Sequence, residues 1–374
     1  MSSKPRILII DNSTFVTGAL RSIVALANDL KTDFEFCFLM PQNSRGRYLI
    51  EEEGFTNIFE MPMKEISKRP GSLFLYFPLL LANSIRLIKL VKKLNIDMIH
   101  NNDLYNLLPV VAKIFGLRVP YISHIRFLPD RFPKPLFSFW VRSHLAFSSR
   151  IISVSNYLLK KLPAHSKITC IWDQLPTEKG YPLVDKPSGY RLLYLSNFIR
   201  GKGQEHALMA FEKVHRKFPE WRIRFVGSDM GLSKNRVFKR ELEQFCFDRN
   251  IASKVEWQTF SEHPESEFKA ADVVLNFSES ESFSRTCMEA LFYGRPIVAT
   301  DSGGPAEIID HGITGYLVVK NDINAMAEAM EKLMSSPGLR ENFGKEGMIR
   351  VRQKFSIKKT SYKMALLYRE VLKT

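Results

Sequence analysis

Short apolar runs alternate with amphipathic helical patterns twice over in this 374-residue chain, the second series starting only after a proline- and glycine-rich break. Strand-length apolar runs separated by helix-length amphipathic segments satisfy their backbones best in a parallel sheet with helices on both faces. The first series reads RILIID (Arg6–Asp11) as strand, GALRSIVALANDL as helix, FEFCFLM as strand, SIRLIKLVKKLN as helix, DMIHN as strand and LLPVVAKIFG as helix. VPYISHI and RIISVS follow as strands, then NYLLKKL as helix. DQLPTEKGYPLVDKPSG (Asp173–Gly189) reads as a linker. The alternation then restarts through YRLLYLS, GQEHALMAFEKVHRKF, WRIRFVGS, FKRELEQFCFDRN, KVEWQTF, ADVVLNFS, SRTCMEALFYG, PIVAT, GYLVV and INAMAEAMEKLMS. The expected class is α/β, with two doubly wound units meeting at about residue 180, each taking ligand beyond the carboxyl ends of its strands. The chain is also longer than a single core usually grows.

Hydrophobic content of 45% against 25% charged residues suits a folded, soluble chain. Cys37, Cys170, Cys246 and Cys287 are far apart and form no C-x-x-C pair, which reads as reduced core thiols of a cytoplasmic protein. MSSKPR runs straight into ILII, too short for the apolar region of a signal peptide. A net charge of +15 implies an anionic partner, and residues 1–180 hold 24 Lys and Arg against 14 Asp and Glu. In HIRFLPDRFPKPLFSFWVRSHLAFSSR (His124–Arg150) the cations interleave with aromatics, as at a membrane surface, an anionic lipid head group or a nucleic acid; solvated charges over core aromatics give the same pattern. GSLFLYFPLLLANSIRLIKLVKKL (Gly71–Leu94) contains Pro78 and passes into Arg86, Lys89, Lys92 and Lys93, so its apolar run is too short to span a bilayer. It reads as an amphipathic helix, packed on a sheet or touching a bilayer.

Three loops carry chemistry. DNSTFVTGALRS lacks G-x-G-x-x-G, which removes the main signature of a nicotinamide dehydrogenase, while Thr17 and Gly18 still let backbone approach a ligand at a helix start. In YLSNFIRGKGQEHALMAF, Asn197, Arg200 and Lys202 follow a strand and precede a helix, which suits a phosphate; surface charges on a loop are the alternative. The richest stretch is ESESFSRTCMEALFYGRPIVATDSGGPAEII (Glu279–Ile309). Its hydroxyls are placed to cap the helix that ends at Gly294. The amides of Phe283, Ser284 and Arg285 then form an anion site at the positive end of that helix. Glu281 and Glu289 flank this site as acceptor-only groups for hydroxylated parts of a ligand. No His, Cys or Asp cluster has metal-ligand spacing, so no metal is expected.

On these residues the chain resembles the retaining nucleotide-sugar glycosyltransferases of family 4, the glycosyl transferases group 1, with the GT-B fold. The resemblance rests on Glu281 and Glu289 separated by seven residues, Gly294, Pro296, the VAT strand, Gly303-Gly304 and Glu307. It extends to DMIHNND, VPYISHIR, ISVS, SNFIRGKG, the IRFVGS strand with Gly227, HGITGYLV and the terminal FSIKKTSYKMALLYREVL. GT-B implies two Rossmann-like domains facing across a cleft: an acceptor domain over 1–180, a nucleotide-sugar domain over 181–355, and a final helix, 356–374, packing back on the first. By similarity Glu289 holds the ribose, Glu281 the donor sugar, and Lys202 with the amides of Ser282, Phe283 and Ser284 the diphosphate. The family's phosphate-loop arginine falls at Asn197 here, with Arg200 three residues on. Its histidine near the reacting sugar falls at Arg126, with His124 two residues earlier; His124 also reads as a satisfied core histidine. Thr17, His100 and Asp103 are implied at the acceptor.

The implied reaction is metal-independent hexosyl transfer with retained anomeric configuration, in surface polysaccharide or lipopolysaccharide biosynthesis. The implied partners are a UDP- or GDP-linked sugar used as substrate, no separate cofactor, a saccharide or lipid-linked acceptor, and an anionic membrane touched peripherally. Two other readings stand beside it: a nucleotide-sugar epimerase of the same fold, and a basic nucleic-acid-binding protein, for which no RNA or DNA module is visible.

Overall fold

Among the described residues every strand pairing within both sheets is parallel, so successive strands of a sheet are joined by crossovers. The computed structural model describes residues 4–63, 71–175, 189–259 and 264–373, with backbone alone for 71–75. Most of the linker read at Asp173–Gly189, including the boundary at residue 180, lies outside them. The chain divides into two units, Met1–Pro176 together with Ile357–Thr374, and Thr177–Ser356.

The first unit runs β1 (Arg6–Ile10), α1 (Gly18–Leu30), β2 (Glu35–Pro41), α2 (Arg47–Glu52), β3 (Ile58–Met61), α3 (Gly71–Leu94), β4 (Met98–Asn101), α4 (Leu108–Ile114), β5 (Tyr121–Ile125), α5 (Lys134–Phe147), β6 (Arg150–Ser153), α6 (Asn156–Lys160) and β7 (Ile168–Cys170). The strand order is β3-β2-β1-β4-β5-β6-β7, so the order reverses direction between β1 and β4. The second unit runs β8 (Arg191–Leu195), α7 (Gln204–Val214), β9 (Arg222–Val226), α8 (Ser233–Asp248), β10 (Val255–Gln258), α9 (Pro264–Ala270), β11 (Val273–Asn276), α10 (Arg285–Phe292), β12 (Ile297–Thr300), α11 (Pro305–Ile308), β13 (Gly315–Val318), α12 (Ile323–Ser335) and α13 (Pro337–Lys354). Its order is β10-β9-β8-β11-β12-β13, with the reversal between β8 and β11. The closing helix α14 (Ile357–Leu372) belongs to the first unit, where Met364, Ala365, Leu367, Tyr368 and Val371 join the core formed by β1, β2 and α1.

Two elements show what patterning hid. The basic aromatic stretch before Arg150 contains α5, whose Phe137, Trp140, Val141 and His144 are buried. Phe127 and Phe132 pack against Trp140 with ring centroids 6.1 and 5.0 Å apart; Phe127, Phe137 and Trp140 are core, while Phe139 and Phe147 are exposed. Helix α13 has no apolar period because two of its contacts are made by glycine. A Cβ on Gly344 would come within 2.2 Å of the Gly294 carbonyl oxygen, and one on Gly347 within 2.8 Å of the Leu291 side chain, so α13 lies against α10 at backbone distance.

The docking of α14 is polar at its centre. The fully buried His100 ring accepts or donates at Nδ1 to the Tyr368 hydroxyl, 2.6 Å away, and at Nε2 meets Nδ1 of His124, also at 2.6 Å. Burial lowers His100 to about 3 and depresses His124 strongly, with the Arg126 charge adding to both; burial likewise lowers His144 to about 4. Folded-state values below the ordinary 6.5 mean that this stability is complete above pH 6.5 and is lost as pH falls toward the folded values. His144 alone then costs about 2 kcal/mol between pH 7 and pH 5. Urea unfolding at the two pH values checks this: the first unit unfolds earlier at pH 5, and a His144→Phe variant shows a shallower pH slope.

Candidate active site

The loops that follow three adjacent strands, β8, β11 and β12, are stitched together at one end of the second sheet. Glu279 N donates to the Gly201 carbonyl at 2.9 Å, Glu281 N to the Ser302 carbonyl at 3.1 Å, and Gly304 N to the Glu281 carbonyl at 2.8 Å. Below them the buried Tyr194 hydroxyl accepts from Phe277 N at 2.8 Å and donates to the Lys202 carbonyl. The outcome is a short ion pair across the point where strand order reverses: Lys202 Nζ lies 2.6 Å from Glu281 Oε1, with side chains 20% and 15% exposed. In doubly wound sheets that point is where ligands bind, beyond the strand carboxyl ends.

Helix α10 starts beside this pair. Ser284 stands at its N-cap with φ +82°, a left-handed conformation that costs a serine strain, and makes no side-chain capping bond. Its hydroxyl instead accepts from Asn276 Nδ2 at 3.1 Å and donates to Cys287 Sγ at 3.1 Å. The hydroxyl cap expected from the sequence is therefore absent at Ser284, and the first amides of α10 keep their positive end for another acceptor. The Phe283 side chain is buried edge-on against Phe355, centroids 5.4 Å apart, which leaves Phe283 only its backbone to offer. Ser282 is partly buried in the same loop. Arg285, the first residue of α10, reaches Glu289 Oε1 one turn on at 2.6 Å, with side chains 12% and 11% exposed. Its Nη1 is buried without a hydrogen-bond partner, a costly state for a guanidinium donor.

The other residues expected at the nucleotide make contacts within the protein. Arg200 turns away, pairing with Glu241 of α8 and lying over the Phe238 ring at 4.9 Å, so it does not join Lys202. Asn197 ties two loops, its Oδ1 accepting from Ser228 N at 3.1 Å and its carbonyl from Gln204 Nε2 at 2.8 Å. Gly227 serves close packing, since a Cβ there would stand 2.0 Å from the Ser196 carbonyl oxygen.

In the first unit a second polar cluster lies at the β1/β4 reversal. Asn102 donates to Asp11 Oδ2 at 2.5 Å and accepts from Arg126 Nε at 2.9 Å; Arg126 Nη1 reaches both Asp173 oxygens at 2.8 and 3.1 Å. Arg126 is thus neutralised by Asp173 and only 7% exposed, rather than a free cation for developing charge. His124 and His100 are both buried in the hydrogen-bonded chain to Tyr368. Thr17 caps α1 by accepting from Leu20 N at 3.1 Å, and Gly18 opens that helix. Asp103 is half-buried after β4; burial, opposed by Arg126 and helped by Asp11, pushes its carboxyl up to about 8. At neutral pH it carries a proton and can donate as well as accept. Asp11, Asn102, Asp173, Tyr194 and Tyr368 were missed in the sequence; of these, Asp11 had a signal, standing directly after β1.

Residues 183–350 match the family model Glycosyl transferases group 1, and residues 16–171 match Glycosyltransferase Family 4. The chain belongs to the family 4 glycosyltransferases. As a member of that family it is 29% identical over 193 residues to alpha-1,3/1,6-mannosyltransferase ALG2 of Homo sapiens, covering 50% of this chain and 46% of that protein. To N-acetyl-alpha-D-glucosaminyl L-malate synthase of Bacillus anthracis it is 22% identical over 329 residues, 83% of this chain and 84% of that one. Among solved structures, Anabaena HepE in complex with UDP and glucose superimposes with a TM-score of 0.84 at 18% identity, over 97% of this chain and 99% of that one. That likeness is one of fold, the GT-B architecture. The chain spans less than half the length of the first curated relatives it matches, 46% of the human mannosyltransferase and 19% of exopolysaccharide phosphotransferase SCO2592 of Streptomyces coelicolor.

Gly304 fixes how the second unit of this family member sets its loops. A Cβ there would stand 2.2 Å from the Phe283 carbonyl oxygen, so Gly304→Ala must push the α11 turn off the Phe283 loop. Thermal unfolding of the variant is expected to show a loss of about 1–3 kcal/mol.

Proposed function

We propose that the chain moves a hexosyl group from a nucleoside diphosphate sugar to a saccharide or lipid-linked acceptor, with retention at the anomeric carbon. The observation that carries this reading is the Lys202–Glu281 pair at the β8/β11 reversal, beside the uncapped start of α10. A cation and a helix N-terminus together suit a diphosphate, and a carboxylate next to them suits sugar hydroxyls. Support also comes from HepE, whose structures hold UDP with glucose and UDP-glucose. A role in surface polysaccharide or lipopolysaccharide assembly is supported by a 22% identical relative, lipopolysaccharide 1,6-galactosyltransferase of Escherichia coli.

In this reading the donor diphosphate replaces Glu281 on Lys202, and Glu281 turns its freed oxygens to the sugar hydroxyls. The bond from the anomeric carbon to the phosphate oxygen lengthens first. Lys202 and the amides of Phe283 and Ser284 stabilise the charge gathering on the leaving diphosphate, so no metal is invoked. The acceptor oxygen bonds on the same face while its proton passes to the departing phosphate oxygen. Glu289 takes the ribose hydroxyls, and Arg285 holds that carboxylate while offering its partnerless Nη1 to the nucleotide. Asp103 and Thr17, at the first unit's reversal point, receive the acceptor.

Calorimetric titration with UDP- and GDP-linked hexoses tests the donor, and no binding to any of them would sink the proposal. Lys202→Ala is expected to lower kcat about 100-fold, since it removes a group aimed at charge that develops in the transition state. Arg285→Met is expected to raise the donor KM about tenfold with a smaller change in kcat, measured by initial rates against donor concentration.

A further inference from the structure

Helix α11, Pro305–Ile308, is four residues long and opens on Gly304, which has no side chain to cap it. A single turn closes too few hydrogen bonds to offset the cost of nucleating it, so its place is fixed from outside. Its last carbonyls are held by α13. Arg350 Nε donates to the Ile308 carbonyl at 2.6 Å and Nη2 to the Glu307 carbonyl at 3.3 Å, while Nη1 pairs with Asp310. Lys354 Nζ, one turn on, donates to the same Glu307 carbonyl at 2.7 Å. Cations at the negative end of a helix are favourable, and the planar guanidinium uses all three of its nitrogens on one turn of chain.

The other end of α11 serves the site. There the Gly304 amide donates to the Glu281 carbonyl at 2.8 Å, and Gly303 pairs with Glu281 as an isolated parallel bridge. Arg350 stands three residues after Gly347, whose backbone lies on Leu291 of α10. The helix that touches α10 at backbone distance therefore also grips the turn that carries Glu281. We propose that Arg350 is a positioning residue for the donor site: by fixing α11 to α13, it sets the Glu281 backbone relative to the start of α10. This rests on the reading that Glu281 receives the donor sugar while Lys202 and the α10 amides receive the diphosphate. Those diphosphate groups sit on α10 and on the loop after β8, so loosening the grip displaces Glu281 and leaves them in place. Lysine at this position keeps the charge but offers a point donor instead of a fork. A cavity of about 410 Å³ borders Asp310, Arg350 and Lys354, so carbonyls that a variant releases meet water and the unit still folds.

Amide hydrogen exchange on the ligand-free chain gives the first readout. Arg350→Lys is expected to speed exchange about tenfold at Glu281 and Gly304 while leaving α7 unchanged. Turnover of a UDP- or GDP-linked hexose, read as release of UDP or GDP, should fall about tenfold in the same variant, because a misplaced carboxylate loses its contact in the transition state. Affinity for free UDP or GDP, by calorimetry, should stay at the wild-type value. In a Glu281→Ala background, adding Arg350→Lys should cost no further turnover. Losses that multiply across the two substitutions, or a nucleotide affinity that falls with turnover, overturn the proposal and leave Arg350 as a stabiliser of the unit. Unchanged exchange at Glu281 and Gly304 overturns it as well. A wild-type chain that binds no nucleotide sugar, with exchange raised in Arg350→Lys, sinks the transfer proposal alone and leaves Arg350 positioning the Glu281 backbone.

Discussion

Parallel strands cannot be joined by tight hairpins, and the site follows from that constraint. Each crossover brings the chain back to the same edge, so every loop leaving a strand's carboxyl end emerges beside the others. In the second unit this brings Lys202, after β8, against Glu281, after β11, although 79 residues separate them. The loop after β12 closes the arrangement through Gly304, which must be glycine for its backbone to lie on the Phe283 carbonyl. The side-chain chemistry is sparse, and most of the precision comes from backbone hydrogen bonds between loops.

The two reversal points treat charge differently. In the second unit the Lys202–Glu281 and Arg285–Glu289 pairs are each between 11% and 20% exposed, and Arg285 Nη1 has no partner among the described residues. In the first unit Arg126, Asp173, Asn102 and Asp11 form a buried chain in which one cation is set between two carboxylates. Breaking a buried pair is costly because the remaining charge is stranded. That chain therefore behaves as scaffold.

Much of this was legible in the sequence because strands and amphipathic helices advertise themselves by period. The Glu281 to Glu307 segment was legible because its glycines and carboxylates are spaced by one continuous strand-loop-helix unit. Helix α13 was not, since Gly344 and Gly347 contribute contact without an apolar signature. The partners of Arg200 and Arg126 were not legible for one reason: a cation at a loop looks available until its distant carboxylate, Glu241 or Asp173, is placed beside it. His100 and His124 look like chemistry in a string of letters, and only the Tyr368 hydroxyl, 268 residues beyond His100, shows that they fasten a helix.

The sequence by itself determined two parallel α/β units, most of the strands and the long amphipathic helices in them, and the short segment in which Glu281, the start of α10 and Glu289 succeed one another. These are local properties, written in periodicity and turn chemistry. The tertiary structure decided which charges are spoken for: Lys202 paired with Glu281, Arg200 spent on α8, Arg126 neutralised, and the two histidines buried under α14. Availability of a side chain depends on its partners through space, and residues tens to hundreds of positions apart share no local pattern from which that pairing could be read.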